Sequence, residues 1–308
     1  MENENNTIKM YNLNEFNHLK YLLNSNVRTK ILISLYEGEK SVITLKNIVK
    51  KPSATISQAL RLLLNLELIK KEKKIISLSS KGTVVVANII KLIETWHMFV
   101  KEEKFWITHK ASHIPHKLFK KIHLLRGCQY VQCDENNINK TLSVFNNLIR
   151  KSRKIKMFLP IYSHKHLEII LKAIDNDLLE LEIILNKEIL SQILESEFKN
   201  DFEYAVEENK IKFHLTDKKN HIFLVTGSNF VFLGLFLKDG FFDDSTIILG
   251  QNEDNLEWGK ELFNNLKGVE EISIEDSENN YIIQPIFPKK DIKIEGETKI
   301  SFKNGMLF

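Results

Sequence analysis

Apolar residues recur at helical spacing from the start of the chain. Leu13, Phe16, Leu19, Leu22 and Leu23 predict a helix that stops at the polar Asn24-Ser25-Asn26. A second helix is predicted over 27–38, with Val27, Ile31, Leu32 and Leu35 inward and Gly38 as its stop. A third, short one fits 44–51, with Thr44 as cap and Leu45, Ile48 and Val49 inward. Beyond Pro52, Ser53 is placed to cap a fourth helix over 54–68. Its inward positions are Ile56, Leu60, Leu63 and Leu64, which leaves Thr55, Ser57, Gln58 and Arg61 outward.

The period then shortens. Leu68-Ile69 and Ile75-Ile76-Ser77-Leu78 read as two strands flanking the lysine-rich turn 70-KKEKK-74. Helices followed by such a hairpin predict a winged helix-turn-helix over 14–80. From Lys81 to about Phe105 a long helix is expected. Val85, Leu92, Trp96 and Phe99 there exceed one face, so the stripe calls for a partner. Residues 81–126 are accordingly expected to be a linker helix and dimerisation region.

From Gly127 short β-favouring runs alternate with helical ones, as in 154-KIKMFLP-160, helix 164–176 and 180-ELEIIL-185. Further strands are expected at 128–133, 210–215, 221–226, 230–237 and 246–250, with helices at 137–151, within 187–208 and at 252–267. This predicts an α/β domain with a mixed sheet over 127–268. Residues 269–308 alternate apolar and polar around Pro285 and Pro288 and suggest a small strand-bearing extension. The fold class is α+β or α/β, with helix-rich and sheet-rich parts in succession.

Charge sharpens this division. The net charge is only +4, yet residues 1–126 carry +12 and residues 127–308 carry −8. That is the distribution expected if only the first part meets a polyanion. No run of about 18 uncharged apolar residues is present, and the polar start MENENNTIKM resembles no signal peptide, so a cytoplasmic location without a membrane is expected. Cys128 and Cys133 are the only cysteines, which excludes a disulfide framework.

A winged helix works through two exposed elements. Its second helix-turn-helix helix enters a major groove, and its hairpin straddles the flanking backbone. Ser53, Thr55, Ser57, Gln58 and Arg61 lie on or beside the outward face of that helix, and Gln and Arg forks match adenine and guanine edges. Lys70, Lys71, Lys73 and Lys74 suit phosphates. Double-stranded DNA is therefore the expected partner, bound by a homodimer that reads two half-sites.

The segment 53-SATISQALRLLLNLELI-69, followed by the hairpin and 79-SSKG-82, resembles regulators of the arsenical-repressor type, although Glu67 stands where those have Gly. In 224–267 the elements LGLF, DG-F-D and above all 258-WGKELF-263 resemble the middle domain of archaeal winged-helix regulators of the Fil type, the methanogenesis regulatory proteins. The resemblance runs to about Lys267. It implies a non-enzymatic transcriptional regulator whose α/β domain supplies dimerisation, signal input from a small-molecule effector of unspecified chemistry, or both.

Other chemistry is weaker. The segment 221-HIFLVTGSN-229 has a faint likeness to the phospholipase D signature, but Phe223 stands where that mechanism needs a lysine. The competing reading is thus a protein-interaction or phosphate-ester-handling protein on a degenerate phosphodiesterase-like domain. His109, His113, His116 and His123 crowd one segment, yet Pro115 interrupts any helix that would align them, so a polar basic connector is expected there and no metal or other cofactor.

Overall fold

The computed structural model describes residues 13–175, 180–217, 219–267, 271–277 and 280–285, and the chain divides into two units between Trp96 and His97.

In the first unit the helices are α1 (Leu13–Leu23), α2 (Asn26–Tyr36), α3 (Val42–Val49) and α4 (Ser53–Asn65). Strands β1 (Lys40–Ser41), β2 (Ile69–Glu72) and β3 (Ile75–Leu78) form an antiparallel sheet of order β1-β3-β2. Ile31, Leu32, Leu45, Ile56, Leu63 and Ile76 make its core. Burying each such side chain contributes about 1.5–3 kcal/mol. Two caps differ from expectation. Ser41 caps α3, its Oγ accepting from the Thr44 backbone N–H at 3.1 Å, and Ser53 is the first residue of α4, preceded by Pro52, whose fixed φ suits that boundary.

The helix α4 ends with Glu67 in the left-handed region at φ 57. The Glu67 N–H donates to Leu64 O at 2.9 Å and the Leu68 N–H to Leu63 O at 3.0 Å, the paired bonds of a Schellman cap. Three residues of 79-SSKG-82 then close over this turn. Ser79 Oγ donates to Glu67 O at 2.6 Å, Lys81 Nζ donates to Leu66 O at 3.0 Å, and the Gly82 N–H donates to Ser79 Oγ at 2.9 Å. Gly82 is needed there because a Cβ would stand 1.9 Å from Leu68 O.

Helix α5 (Ser80–Lys101) follows, its Val86 and Ile89 buried in the first core. It ends at Lys101, short of the expected Phe105, because Glu102 takes φ −124 and ψ 45; α6 (Glu103–Thr108) starts anew. The stripe on α5 also differs in membership. Val85 and Phe99 are half-buried against cores, whereas Val84, Leu92, Ile93 and Trp96 are exposed, Trp96 at 71%. By length and composition α5 could cross a membrane, although Lys91 and Glu94 interrupt it.

The second unit is a nine-stranded sheet between two helical layers. Its strands are β4 (Gln129–Gln132), β5 (Lys154–Phe158), β6 (Glu180–Leu185), β7 (Ile211–Leu215), β8 (Ile222–Thr226), β9 (Val231–Leu235), β10 (Thr246–Gly250), β11 (Glu271–Ser277) and β12 (Asn280–Pro285). Their order is β12-β11-β7-β6-β5-β8-β9-β10-β4; β5, β6 and β7 are parallel and every other pairing is antiparallel. The part of the expected strand-bearing extension after Pro285 lies outside the described residues.

Two-residue alternation assigns the faces. Ile155, Met157, Ile183, Phe223 and Phe232 meet one layer, composed of α8 (Lys140–Arg150), α9 (His164–Asp175), α10 (Lys187–Leu194) and α11 (Lys199–Glu207). Phe158, Ile184, Leu224 and Leu233 meet the other, made by α12 (Glu253–Leu266) and residues 98–125. The histidine-rich segment is therefore no polar connector. Ile114, Leu118, Ile122 and Leu125 are core residues, with α7 (His116–Phe119) between short 3-10 turns. WGKELF gains a physical meaning in the same layer. Trp258 is fully buried and donates from Nε1 to Leu118 O at 3.1 Å, Gly259 lets α12 approach Val231, and Leu262 and Phe263 complete the face.

Candidate nucleic-acid interface

The periodicity that buries Ile56, Ala59, Leu60 and Leu63 turns the remainder of α4 outward. Ser53, Thr55, Ser57, Gln58 and Arg61 are all exposed. Gln58 and Arg61 are three apart and so share a helix face. Among the described residues Arg61 makes no ion pair, with Glu67 or any other carboxylate, and its fork stays free to face a ligand.

The hairpin presents its cations in the same manner. Lys70, Lys71, Lys73 and Lys74 are exposed, and none is paired with a carboxylate among the described residues. Lys71 is registered opposite Ile76, which lies in the core, and Glu72 opposite Ile75, so Lys73 and Lys74 form the tip. Lys73 adopts φ 56, a conformation lysine rarely takes.

The α/β unit holds polar pairings that the sequence did not announce, although His109 belongs to the histidine-rich segment. His109 is buried and its Nε2 lies 3.0 Å from Asp243 Oδ2, while Ser245 Oγ donates to Asp243 Oδ1 at 2.6 Å. Burial opposes the charge on Asp243, but these donors overcome it and hold the carboxyl down at about 2. Glu182 is similar. It meets His214 and Lys156 at 2.9 Å and Lys267 at 2.5 Å, and despite burial its carboxyl is held down to about 2. Both sets join residues far apart in the chain, which no local spacing announces.

The weaker candidates have plain positions. Phe223 is fully buried in β8, and His221 just ahead of it stacks on Phe236 with centroids 4.5 Å apart. Cys128 and Cys133 are free thiols, and burial pushes Cys128 up to about 12, so it stays protonated and unreactive. Among the described residues no three His, Cys, Asp or Glu side chains gather as a metal site.

A basic hairpin beside an outward-facing helix, in one unit of a chain whose other unit is a layered mixed sheet, defines a two-unit winged-helix protein. Residues 16–97 match the N-terminal domain, and residues 138–268 the middle domain, of the methanogenesis regulatory protein FilR1. The chain belongs to this family of methanogenesis regulatory proteins. It is 22% identical over 248 residues to FilR1 of Methanothrix harundinacea (strain 6Ac), a match covering 80% of this chain and 55% of that one, so it spans about half the length of that relative. Among solved structures it is similar to TrmBL2, described as an archaeal chromatin protein with a novel mode of DNA binding, at 16% identity over 77% of this chain and 89% of that one, TM-score 0.34. It is also similar to Nuc, a phospholipase D family member from Salmonella typhimurium, at 10% identity over 45% and 92% of the two chains, TM-score 0.33. Both scores are too low to bear on function.

Proposed function

We propose that this protein is a DNA-binding transcriptional regulator. Helix α4 enters the major groove and the β2–β3 wing grips the flanking phosphates. The observation that carries this reading is the joint exposure of Gln58, Arg61 and four lysines with no ion-pair partner on one small unit. Unpaired cations cost least when a polyanion is their partner, and binding releases the counterions condensed on it. Ser53, Thr55 and Ser57 would add phosphate or base contacts from the first turns of α4. Membership of a family of regulatory proteins supports the same assignment.

The working form is a homodimer. Val84, Leu92, Ile93 and Trp96 leave an apolar row on α5 exposed, and a second copy supplies both its cover and the second DNA half-site. The α/β unit would then serve dimerisation, signal input or both. Electrophoretic retardation of fragments from the gene's own upstream region tests the central claim. Sequence-dependent retardation at moderate salt is expected; uniform weak retardation of all fragments, together with phosphodiesterase turnover, would replace the regulator by a phosphate-ester enzyme.

A further inference from the structure

We propose that the α/β unit binds a small zwitterion with an apolar body, an apolar α-amino acid by chemical class, in the cavity at the carboxyl end of β5. In open α/β sheets ligands bind beyond the carboxyl ends of strands, where the chain's path across the sheet reverses. That point is at β5 here, since the parallel strands β6 and β7 extend to one side and the antiparallel β8, β9 and β10 to the other.

Size comes first. The cavity is about 140 Å³. An enclosed apolar space of about 150 Å³ accommodates benzene, so roughly six carbon atoms fit, and the open side leaves room for polar ends. Its apolar wall includes Ile138 ahead of α8, Leu142 of α8, Ile161 after β5, Phe232 of β9, Phe242 ahead of β10 and Ile247 of β10.

The polar lining selects the charge type. Lys165, in the first turn of α9, and Asp244, just ahead of β10, both line the cavity, one charge of each sign. Among the described residues neither has an ion-pair partner. Both side chains are exposed at the open side of the cavity, where a simple carboxylate would meet Lys165 but be repelled by Asp244, a simple amine the reverse, and a neutral apolar molecule would engage neither. A zwitterion satisfies both.

His166 adds a neutral donor beside Lys165. Its Nδ1 lies 2.7 Å from Ser163 Oγ, and its ring packs edge-on against Phe145 and tilted against Phe223. Burial, reinforced by Lys165, holds the ring down at about 4, so it is uncharged near neutrality. In the tautomer in which the Ser163 hydroxyl donates to Nδ1, the ring proton sits on Nε2, the form suited to donate to a carboxylate.

This site deepens the reading of the α/β unit as signal input and rests on it, but binding can be read without DNA. Isothermal calorimetry on the full chain compares L-leucine with 4-methylpentanoate, which lacks the ammonium, and with 3-methylbutylamine, which lacks the carboxylate. Leucine should give a saturable heat, with each half-charged analogue at least about tenfold weaker. Leu142→Trp, which fills the cavity, should abolish binding; Asp244→Asn, a change at an exposed position, should weaken leucine and not 4-methylpentanoate. No saturable heat with leucine, valine or methionine at about 10 mM, enough to fill a site of about 1 mM affinity, would overturn the proposal. So would 4-methylpentanoate binding as tightly as leucine, or undiminished leucine binding by a folded Leu142→Trp protein. A chain that takes leucine yet retards no DNA keeps this site and loses the regulator reading; one that retards DNA yet takes no amino acid loses the site alone.

Discussion

Gly82, packed on Leu68, and Glu67, the residue before Leu68, answer opposite demands. At Gly82 a methyl group would collide with a backbone oxygen 1.9 Å away, which cannot rotate aside. Gly82→Ala should therefore destabilise the first unit by about 3 kcal/mol, at the upper end of ordinary overpacking costs. Chemical denaturation followed by far-ultraviolet circular dichroism measures it, and an unchanged midpoint would mean that α5 approaches the wing less closely than described. Glu67 is a side chain held at φ 57, where glycine is at ease. Its backbone makes the cap, so Glu67→Gly retains both bonds and should stabilise by up to about 1 kcal/mol, the left-handed penalty less the added unfolded-chain entropy. A lower midpoint for that variant would contradict the assigned cap.

Among the elements, α4 and the wing would separate the two kinds of DNA contact that the proposed function assigns them. Replacing Lys70, Lys71, Lys73 and Lys74 together by Ala should weaken binding to every sequence about equally and flatten the salt dependence by a slope of about one per contact. Replacing Gln58 or Arg61 by Ala should relax preference at a defined base pair, at a cost of about 1–3 kcal/mol. Selection from randomised DNA checks both; an unchanged consensus from the Gln58→Ala and Arg61→Ala proteins would remove α4 from the groove. On α5, Trp96→Lys should shift the protein toward monomer in sedimentation, and a wild-type chain already monomeric at micromolar concentration would end the dimer reading.

The same elements show what the sequence made readable. The core-facing repeat in α2 and α4 set their outward residues directly, and so the candidate DNA contacts were legible; in α3 only Leu45 and Val49 are buried, and Ile48, expected inward, is exposed. Cap positions were not, because Ser41 and Thr44 both offer hydroxyls and only backbone geometry decides between them. The end of α5 was hidden too: Glu102 and Glu103 are good helix formers, and nothing local marks the break. Across 109–123 the apolar positions Ile114, Leu118 and Ile122 keep a spacing of four, but histidines and lysines between them obscured it.

For the whole molecule, acid should act in two stages. His166 is held down from its ordinary 6.5 to about 4, while Glu182 goes from 4.5 and Asp243 from 3.8 to about 2. Each folded value lies below the unfolded one, so each stabilises above its unfolded value and that contribution is lost as pH falls toward the folded one. Stability should decline first below about pH 6.5, through His166 together with His113 and His221, which burial also lowers, and then from about 4.5 to 2, through the carboxylates. Urea midpoints across pH check this. His166→Phe should flatten the first limb, and Glu182→Gln should cost on the order of 2 kcal/mol at pH 7 and flatten the second. A midpoint constant from pH 7 to 4 in the parent chain would show that His166 is not kept neutral by burial.

The tip of the wing has a practical consequence for anyone who tries to harden this protein. With Lys73 at φ 56, glycine or asparagine there would relieve the backbone and raise the melting temperature. Each would also delete an amine from the tip of the hairpin. Under the proposed function, screens that reward heat resistance alone would therefore enrich chains that survive better but grip DNA phosphates less firmly, so hardiness would be a misleading proxy for fitness in this protein.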